Sequence, residues 1–516
     1  MRELFLILAI VWLPESFAEL KLPGIFGDHM VLQRGQENLI WGWDIPRTQV
    51  SVLFSGQRQT AIAGADGKWS IGLSAQPANA KPQTITVIGT TKREIHDVLI
   101  GEVWLCSGQS NMDLKLDYDS NGDLEAAAST CPNLRLILVP QVGPPEYQSD
   151  FKAEWRASTP ETARRFSAVG FLFGRYIHEV LGVPVGLIDN AWGGSTTEAW
   201  IRRETLQKDP RFQALVAAAA KKDADFLSPT GKAEYDRAVA EWKVVAEKAV
   251  AEGRAVPGGP PNWRAGGTRP GNLFAGILNP IIGYGLRGVV WYQGESNANR
   301  AYEHGYLFPL LIEQWRKEWR QGDFSFYWVQ LPRFNAAKSI PGDSEWAELR
   351  ETQTKTLRLP NTGQAVSIDL GEAQSIHPRN KHEVAARLAR WALVKDYYLK
   401  MPNRSPEFRT LEIAGSKATL GFDCFGSSLK TFDVAAVQGF AICGADHVWH
   451  WASGKIIAPD QVEVWSDAVP APLAVRYAWA DNPVCNLYSE DCLPVTPFRT
   501  DDFDMTTKAS PKKVQP

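Results

Sequence analysis

The 516-residue chain has little of what marks several protein classes. Its formal net charge is only −3, from 55 Lys and Arg against 58 Asp and Glu. A balance so near neutrality offers no field to gather nucleic acid or another polyanion, so no nucleic-acid partner is expected. Beyond the N-terminus no stretch reaches about 18 continuous apolar residues, which argues against a further membrane span. The six cysteines form no Cys-x-x-Cys pair and no Cys/His group at zinc spacing, so no metal site is expected. There is no internal repeat or low-complexity tract to suggest a structural surface protein. Histidine is scarce as well, and eight residues make a short list of candidate bases.

What is present reads as a globular chain, 44% hydrophobic and 22% charged. The length suits roughly three to four domains. Tryptophan is abundant, at 20 residues. Indole faces stack on sugar rings, but burial is their commoner use. At the N-terminus Arg2 precedes an apolar run from Leu4 to Leu13, Pro14 breaks it, and Ser16-Phe17-Ala18 has the small-x-small form of a cleavage site. This pattern predicts a secretory signal over residues 1–18, hence export to a periplasmic or extracellular space, with a membrane-tethering anchor as the alternative. Once the signal is removed no stable membrane span is expected. In an exported chain the cysteines permit disulfides, with Cys485–Cys492 and Cys424–Cys443 as candidate pairs. Cys106 lies in an apolar strand and reads as a small core residue.

Periodicity divides the chain. Residues 19–98 carry short β-branched or alternating runs, such as Asn38–Trp43, Gln49–Phe54 and Gln83–Ile88, separated by turns that include Asp66-Gly67. They predict a small β-sandwich. Residues 99–402 alternate apolar strands with helical patterns, which predicts an α/β domain with a parallel sheet. Its strands are read at Asp97–Leu105, Leu134–Val139, Val185–Asp189, Arg287–Tyr292, Phe326–Gln330 and Ala365–Asp369. Its helices are read at Phe166–Leu181, ending at Gly182, and at Lys381–Asp396. A helical and Gly/Pro-rich insertion occupies about residues 202–270. Residues 403–500 read as a second β module, and 501–516 as a disordered tail.

Four polar segments follow strands of the α/β region, and open α/β sheets place ligands at that edge. In Ser107-Gly108-Gln109-Ser110-Asn111-Met112, a glycine permits a tight turn and puts Ser110 at a helix start, with its N–H available to an oxyanion. Ser107 is a competing nucleophile still on the strand, and an N-cap role is the bland reading of Ser110. In Trp192-Gly193-Gly194-Ser195 the glycines can bring a backbone N–H near substrate or simply form a loop. In Tyr292-Gln293-Gly294-Glu295-Ser296-Asn297, Gln293 or Asn297 can donate an amide N–H, or the segment is a capped turn. In Ser375-Ile376-His377-Pro378, proline fixes the chain after a loop histidine, where a base belongs, although a lone surface histidine is the commoner reading.

Together these four stretches resemble the sequence blocks of sialate O-acetylesterase-like proteins, members of the SGNH hydrolase superfamily. The resemblance extends to Gly27–Arg34 near the N-terminus and to Val475–Trp479 and Pro497–Arg499 near the C-terminus. It implies an SGNH-type three-layer αβα sandwich flanked by two β modules. It also implies a serine O-acetylesterase acting on O-acetylated carbohydrate with no cofactor. Ser110 matches the nucleophile and His377 the general base. Ser110 and Gly194, with Gly193 as alternate, match backbone oxyanion donors, and Gln293, with Asn297 as alternate, matches a side-chain donor. The sugar ester is sialate or a plant polysaccharide such as acetylxylan. One departure stands out: the places three and two before the histidine, where relatives carry Asp, hold Gln374 and Ser375. Asp369, Glu372 or a backbone carbonyl would have to orient the ring. A non-catalytic carbohydrate-binding protein is the rival of another class.

Overall fold

The computed structural model describes residues 19–260, 262 and 264–508. The expected signal segment lies outside them. The N-terminal module contains β1 (Val31–Gln33), β2 (Asn38–Trp43), β3 (Gln49–Phe54), β4 (Gln57–Ile62), β5 (Lys68–Leu73) and β6 (Asn79–Ile88). It is welded to the rest by β7 (Lys92–Gly108), a single long strand. The first part of β7 pairs with β6 and β1, and its last part enters the central sheet. The junction expected at residues 98–99 therefore falls inside a continuous strand.

The chain continues through α1 (Ser110–Asp113), α2 (Gly122–Ala127), β8 (Cys131–Leu138), β9 (Arg156–Ser158), α3 (Pro160–Arg164), α4 (Ala168–Leu181) and β10 (Val185–Ala191). The helical insertion α5 (Arg203–Lys208), α6 (Gln213–Leu227) and α7 (Pro229–Ala251) follows. The domain closes with β11 (Gly288–Tyr292), α8 (Ala301–Trp319), β12 (Ser325–Val329), α9 (Glu345–Lys355), β13 (Thr362–Ala365) and α10 (Lys381–Lys395). The central order is β13-β12-β11-β7-β10-β8-β9. Pairing is parallel from β13 to β8 and antiparallel between β8 and β9. With the N-terminal strands joined through β7, the sheet is mixed rather than purely parallel.

Strand alternation builds the layers. Leu105, Val289, Trp291, Phe326 and Trp328 face one core with Phe308, Leu311 and Trp315 of α8. Their sequence neighbours Trp104, Cys106, Val290, Tyr292 and Tyr327 face the other, with Phe171 and Phe173 of α4 and Leu388 and Trp391 of α10. A period of two on strands buried on both faces produces this split. Trp104, Trp155, Trp200, Trp291, Trp315 and Trp328 are all fully buried, so much of the tryptophan is core. Helix α4 begins where the Ser167 side chain accepts from Gly170 N–H and ends at Gly182 in the left-handed region, φ 64°.

The C-terminal module comprises β14 (Glu407–Ala414), β15 (Lys417–Asp423), β16 (Leu429–Thr431), β17 (Val437–Cys443), β18 (Trp449–Ala458), β19 (Gln461–Trp465), β20 (Ala474–Tyr477), β21 (Leu487–Ser489) and β22 (Phe498–Arg499). Three sequence expectations need correction. The strand expected at Ala365–Asp369 ends at Ala365, because Val366 and Ile368 turn away to pack in the C-terminal core. The tail is anchored as far as Thr507: the Asp501 side chain is 1% exposed and ion-paired with Arg476 and Arg499, and Thr506 and Thr507 donate to Glu348. All six cysteines are free thiols, so neither suggested disulfide forms. Among the described residues no helix is long and apolar enough to cross a membrane.

Candidate active site

The central strand β7 lies between β10 and β11, and the chain crosses from one side of it to the other. Such a reversal opens a crevice at the carboxyl ends of the strands. Gly108 ends β7 with φ 137°, and a Cβ there would stand 2.2 Å from the Tyr292 carbonyl oxygen. Only glycine fits between the neighbouring strand ends. The chain then turns into α1, with Ser110 as its first residue and half-buried. N–H groups in the first turn of a helix have no intrahelical partner.

His377 arrives from a distance of 267 residues. Pro378 follows it, and Asn380 caps α10 by accepting from Glu383 N–H. The Ser110 hydroxyl lies 2.8 Å from His377 Nε2. Burial and the nearby Lys381 ammonium both hold the His377 pKa below its ordinary 6.5. The ring is therefore neutral near pH 7, and Nε2 can accept the serine proton. The rival Ser107 is fully buried and donates to the Asn190 carbonyl at 2.7 Å.

The glycine pair sits across from the serine. A Cβ built on Gly193 would approach Ser110 Cβ at 3.7 Å, whereas Gly194, with φ 68°, has open space. The amides expected to line the oxyanion are engaged elsewhere. Gln293 Nε2 donates to the Ser195 carbonyl at 3.2 Å and to Asn297 Oδ1 at 2.8 Å. Asn297 Nδ2 donates to Glu198 at 3.0 Å, and its Oδ1 accepts from Thr197 N–H at 2.9 Å. Both residues are fully buried, and they tie the third block to the loop after the glycines.

The substitutes for a triad carboxylate are also occupied. Asp369 forms a two-pronged pair with Arg387, and Glu372 accepts from Arg379 N–H at 2.7 Å. Gln374 is exposed. Sequence reasoning missed a buried group behind the dyad. Asn111 Nδ2 donates to Glu295 and to the Ile376 carbonyl, and Lys381 Nζ donates to Asn111 Oδ1. Lys381 is fully buried, and its pKa is pushed down to about 7 by burial, against the pull of Glu295, Asp119 and Glu372. Burial raises the Glu295 carboxyl above its ordinary range. A lysine opening a helix reads as a surface residue, and its partners lie 86 and 270 positions away. The one local signal is that Asn111 adjoins Ser110.

Residues 262–393 match the carbohydrate esterase family described as sialic acid-specific acetylesterase. The chain is 29% identical to the sialate O-acetylesterase of Mus musculus, covering 91% of this chain and 92% of that protein. It is 28% identical to the sialate O-acetylesterase of Homo sapiens, covering 95% and 94% respectively. A crystal structure of a carbohydrate acetylesterase from Xanthomonas citri shares 37% identity, covers 94% of this chain and all (100%) of its own, and superposes with a TM-score of 0.80. With identity of that order along the full length of a solved relative, the chain belongs to the sialate O-acetylesterase-like carbohydrate esterases, hydrolases of acetyl esters on sugars.

Proposed function

We propose that Ser110 is the nucleophile and His377 its base in an acetyl transfer that passes through an acetyl-serine intermediate, on an SGNH-type scaffold. The observation that carries this reading is the 2.8 Å contact between Ser110 Oγ and His377 Nε2. Nε2 takes the hydroxyl proton while Oγ attacks the acetyl carbonyl carbon. The resulting oxyanion is held by the backbone N–H groups of Ser110 and Gly194, with Gly193 as the alternate. A donor of this kind contributes roughly 2.7–4 kcal/mol to the transition state. Gln293 joins them only by exchanging a present hydrogen bond for the substrate oxygen, whereas Asn297 Nδ2 gives one N–H to Glu198 and keeps a second to offer. The imidazolium returns its proton to the departing sugar oxygen. Water, deprotonated by the same ring, then attacks the acetyl-serine and releases acetate. Protein groups and water suffice for every step.

The leaving sugar is read first as a sialate, the substrate named by the relatives. A sialate carboxylate asks for a cation. Arg300 is held by Glu198 and Glu303, while exposed Arg379 lies over the Tyr118 ring with no carboxylate on its guanidinium among the described contacts. A second reading, acetylated plant polysaccharide, is favoured by a cavity of about 570 Å³ beside the third block. Its walls include Ser296, Asn299, Trp346 and the carboxylates Asp343, Glu345 and Asp481, against the single Lys338. That balance disfavours an anionic sugar. Export is inferred from residues 1–18 alone.

The test is acetate release from a panel of O-acetylated sialic acids and O-acetylated neutral oligosaccharides, with Ser110→Ala as control. Loss of release in the variant is expected. Unchanged release would refute the assignment, and the ratio between substrate classes separates the two sugar readings. A non-catalytic binder would instead bind glycans while resisting a serine-reactive phosphonate.

A further inference from the structure

A base in a serine hydrolase is usually aimed by a carboxylate on its second ring nitrogen. Among the described contacts His377 Nδ1 has none. Its backbone is instead held at several points. His377 N–H donates to Ser375 Oγ at 3.2 Å. The Tyr118 hydroxyl donates to the His377 carbonyl at 3.1 Å. The carbonyl just before it, of Ile376, accepts from Asn111 Nδ2 at 3.0 Å. We propose that Asn111 is the positioning residue of this site, fixing the imaginary line between nucleophile and base by clamping the His377 peptide to the turn that carries Ser110. This rests on the Ser110–His377 reading.

The geometry suits the task. Asn111 is the residue after Ser110, so nucleophile and clamp move as one piece of α1. Its amide is itself immobilised: one N–H goes to Glu295, the other to Ile376, and its oxygen accepts from Lys381 Nζ at 2.5 Å. The residue is fully buried, where an amide with three partners cannot rotate without leaving one unpaired. Glu295 and Lys381 thereby act on the base through Asn111. The site replaces a charge on the imidazole ring with a fixed main chain.

The experiment measures acetate release from an acetylated oligosaccharide, with melting temperature alongside, for Asn111→Ala, Tyr118→Phe and the double variant of the full chain. A base displaced by about 1 Å loses roughly 10²-fold in rate. Asn111→Ala should therefore lower kcat by about that factor with KM within about threefold. Tyr118→Phe should lower kcat by roughly threefold to tenfold, the worth of one hydrogen bond. Because they anchor the two peptides that flank His377, their effects should not add, which a merely structural role would not produce. Unchanged kcat in Asn111→Ala, or a loss confined to KM, would overturn the proposal. If Asn111→Ala fails to fold, Tyr118→Phe decides, and wild-type kcat there overturns it. Should Ser110→Ala remain active, the dyad reading has failed instead.

Discussion

Behind Ser110 the buried charge is a carboxylate, whereas behind His377 it is an amine. On the serine side Asp189, inside β10, is 4% exposed and 3.2 Å from Lys115, which also bonds Asp113 at 2.8 Å. On the histidine side Lys381 is fully buried with Asn111 and Glu295. Burial drives each toward neutrality: Asp189 is raised to about 6 and Lys381 lowered to about 7. Of the two groups it is the Lys381 charge that helps to lower the His377 pKa. The difference teaches that burial sets both groups, but only the amine reaches the chemistry.

The severest way to break this picture is to remove the dyad. His377→Ala and Ser110→Ala should each lower kcat by roughly 10⁴-fold, and the double variant should fall no further, because the two act as a unit. Additive losses, read from acetate release, would separate the residues. Next in size is the pH profile. The base works only when neutral, so kcat/KM is lost as pH falls through the His377 pKa, which lies below 6.5. Lys381→Met removes the neighbouring positive charge and should move that acid limb to higher pH. Asp189→Asn should leave the limb in place. Equal shifts in both variants would erase the contrast between the two sides.

A third measurement reads stability. The folded pKa of Asp189 lies above the unfolded 3.8, at about 6. Between those values the native state holds more protons than the unfolded one, so this group's contribution falls as pH rises through the window and is flat above it. Asp189→Asn should raise stability by about 1–2 kcal/mol at pH 8 and by nothing near pH 3. Lys115 keeps Asp113 as a partner in the variant. Urea unfolding at the two pH values would show the gain, and a loss at pH 8 would mean that the ion pair outweighs burial.

Much of this was legible in the sequence. The strands at Asn38–Trp43 and Gln49–Phe54 have the bounds that their alternation predicts. The segments around Ser110, Gly193, Gln293 and His377 do gather at one sheet edge, since each ends or follows a buried strand whose period is unmistakable. The rest failed where residues answer to distant partners. Val366 and Ile368 look like strand because they are apolar, but the core they serve belongs to the C-terminal module. The polar tail looks disordered because ion pairs with Arg476 and Arg499 leave no periodic trace. Lys381 and Glu295 are ordinary surface types until Asn111 brings them together.

The smallest expected effect concerns the serine three places before the nucleophile. Ser107 and Ser110 share a strand end and differ in what they face: the one donates to the Asn190 carbonyl inside the sheet, the other lies 2.8 Å from the imidazole. Ser107→Ala removes one buried hydrogen bond, which costs about 1 kcal/mol of stability. It should leave kcat/KM unchanged, because no reacting atom is within its reach. Urea unfolding and acetate release on one preparation check both halves. A large loss of activity with stability intact would mean that Ser107 steers the Asn190–Ala191 strand end, and with it the glycine loop, more tightly than a single hydrogen bond implies.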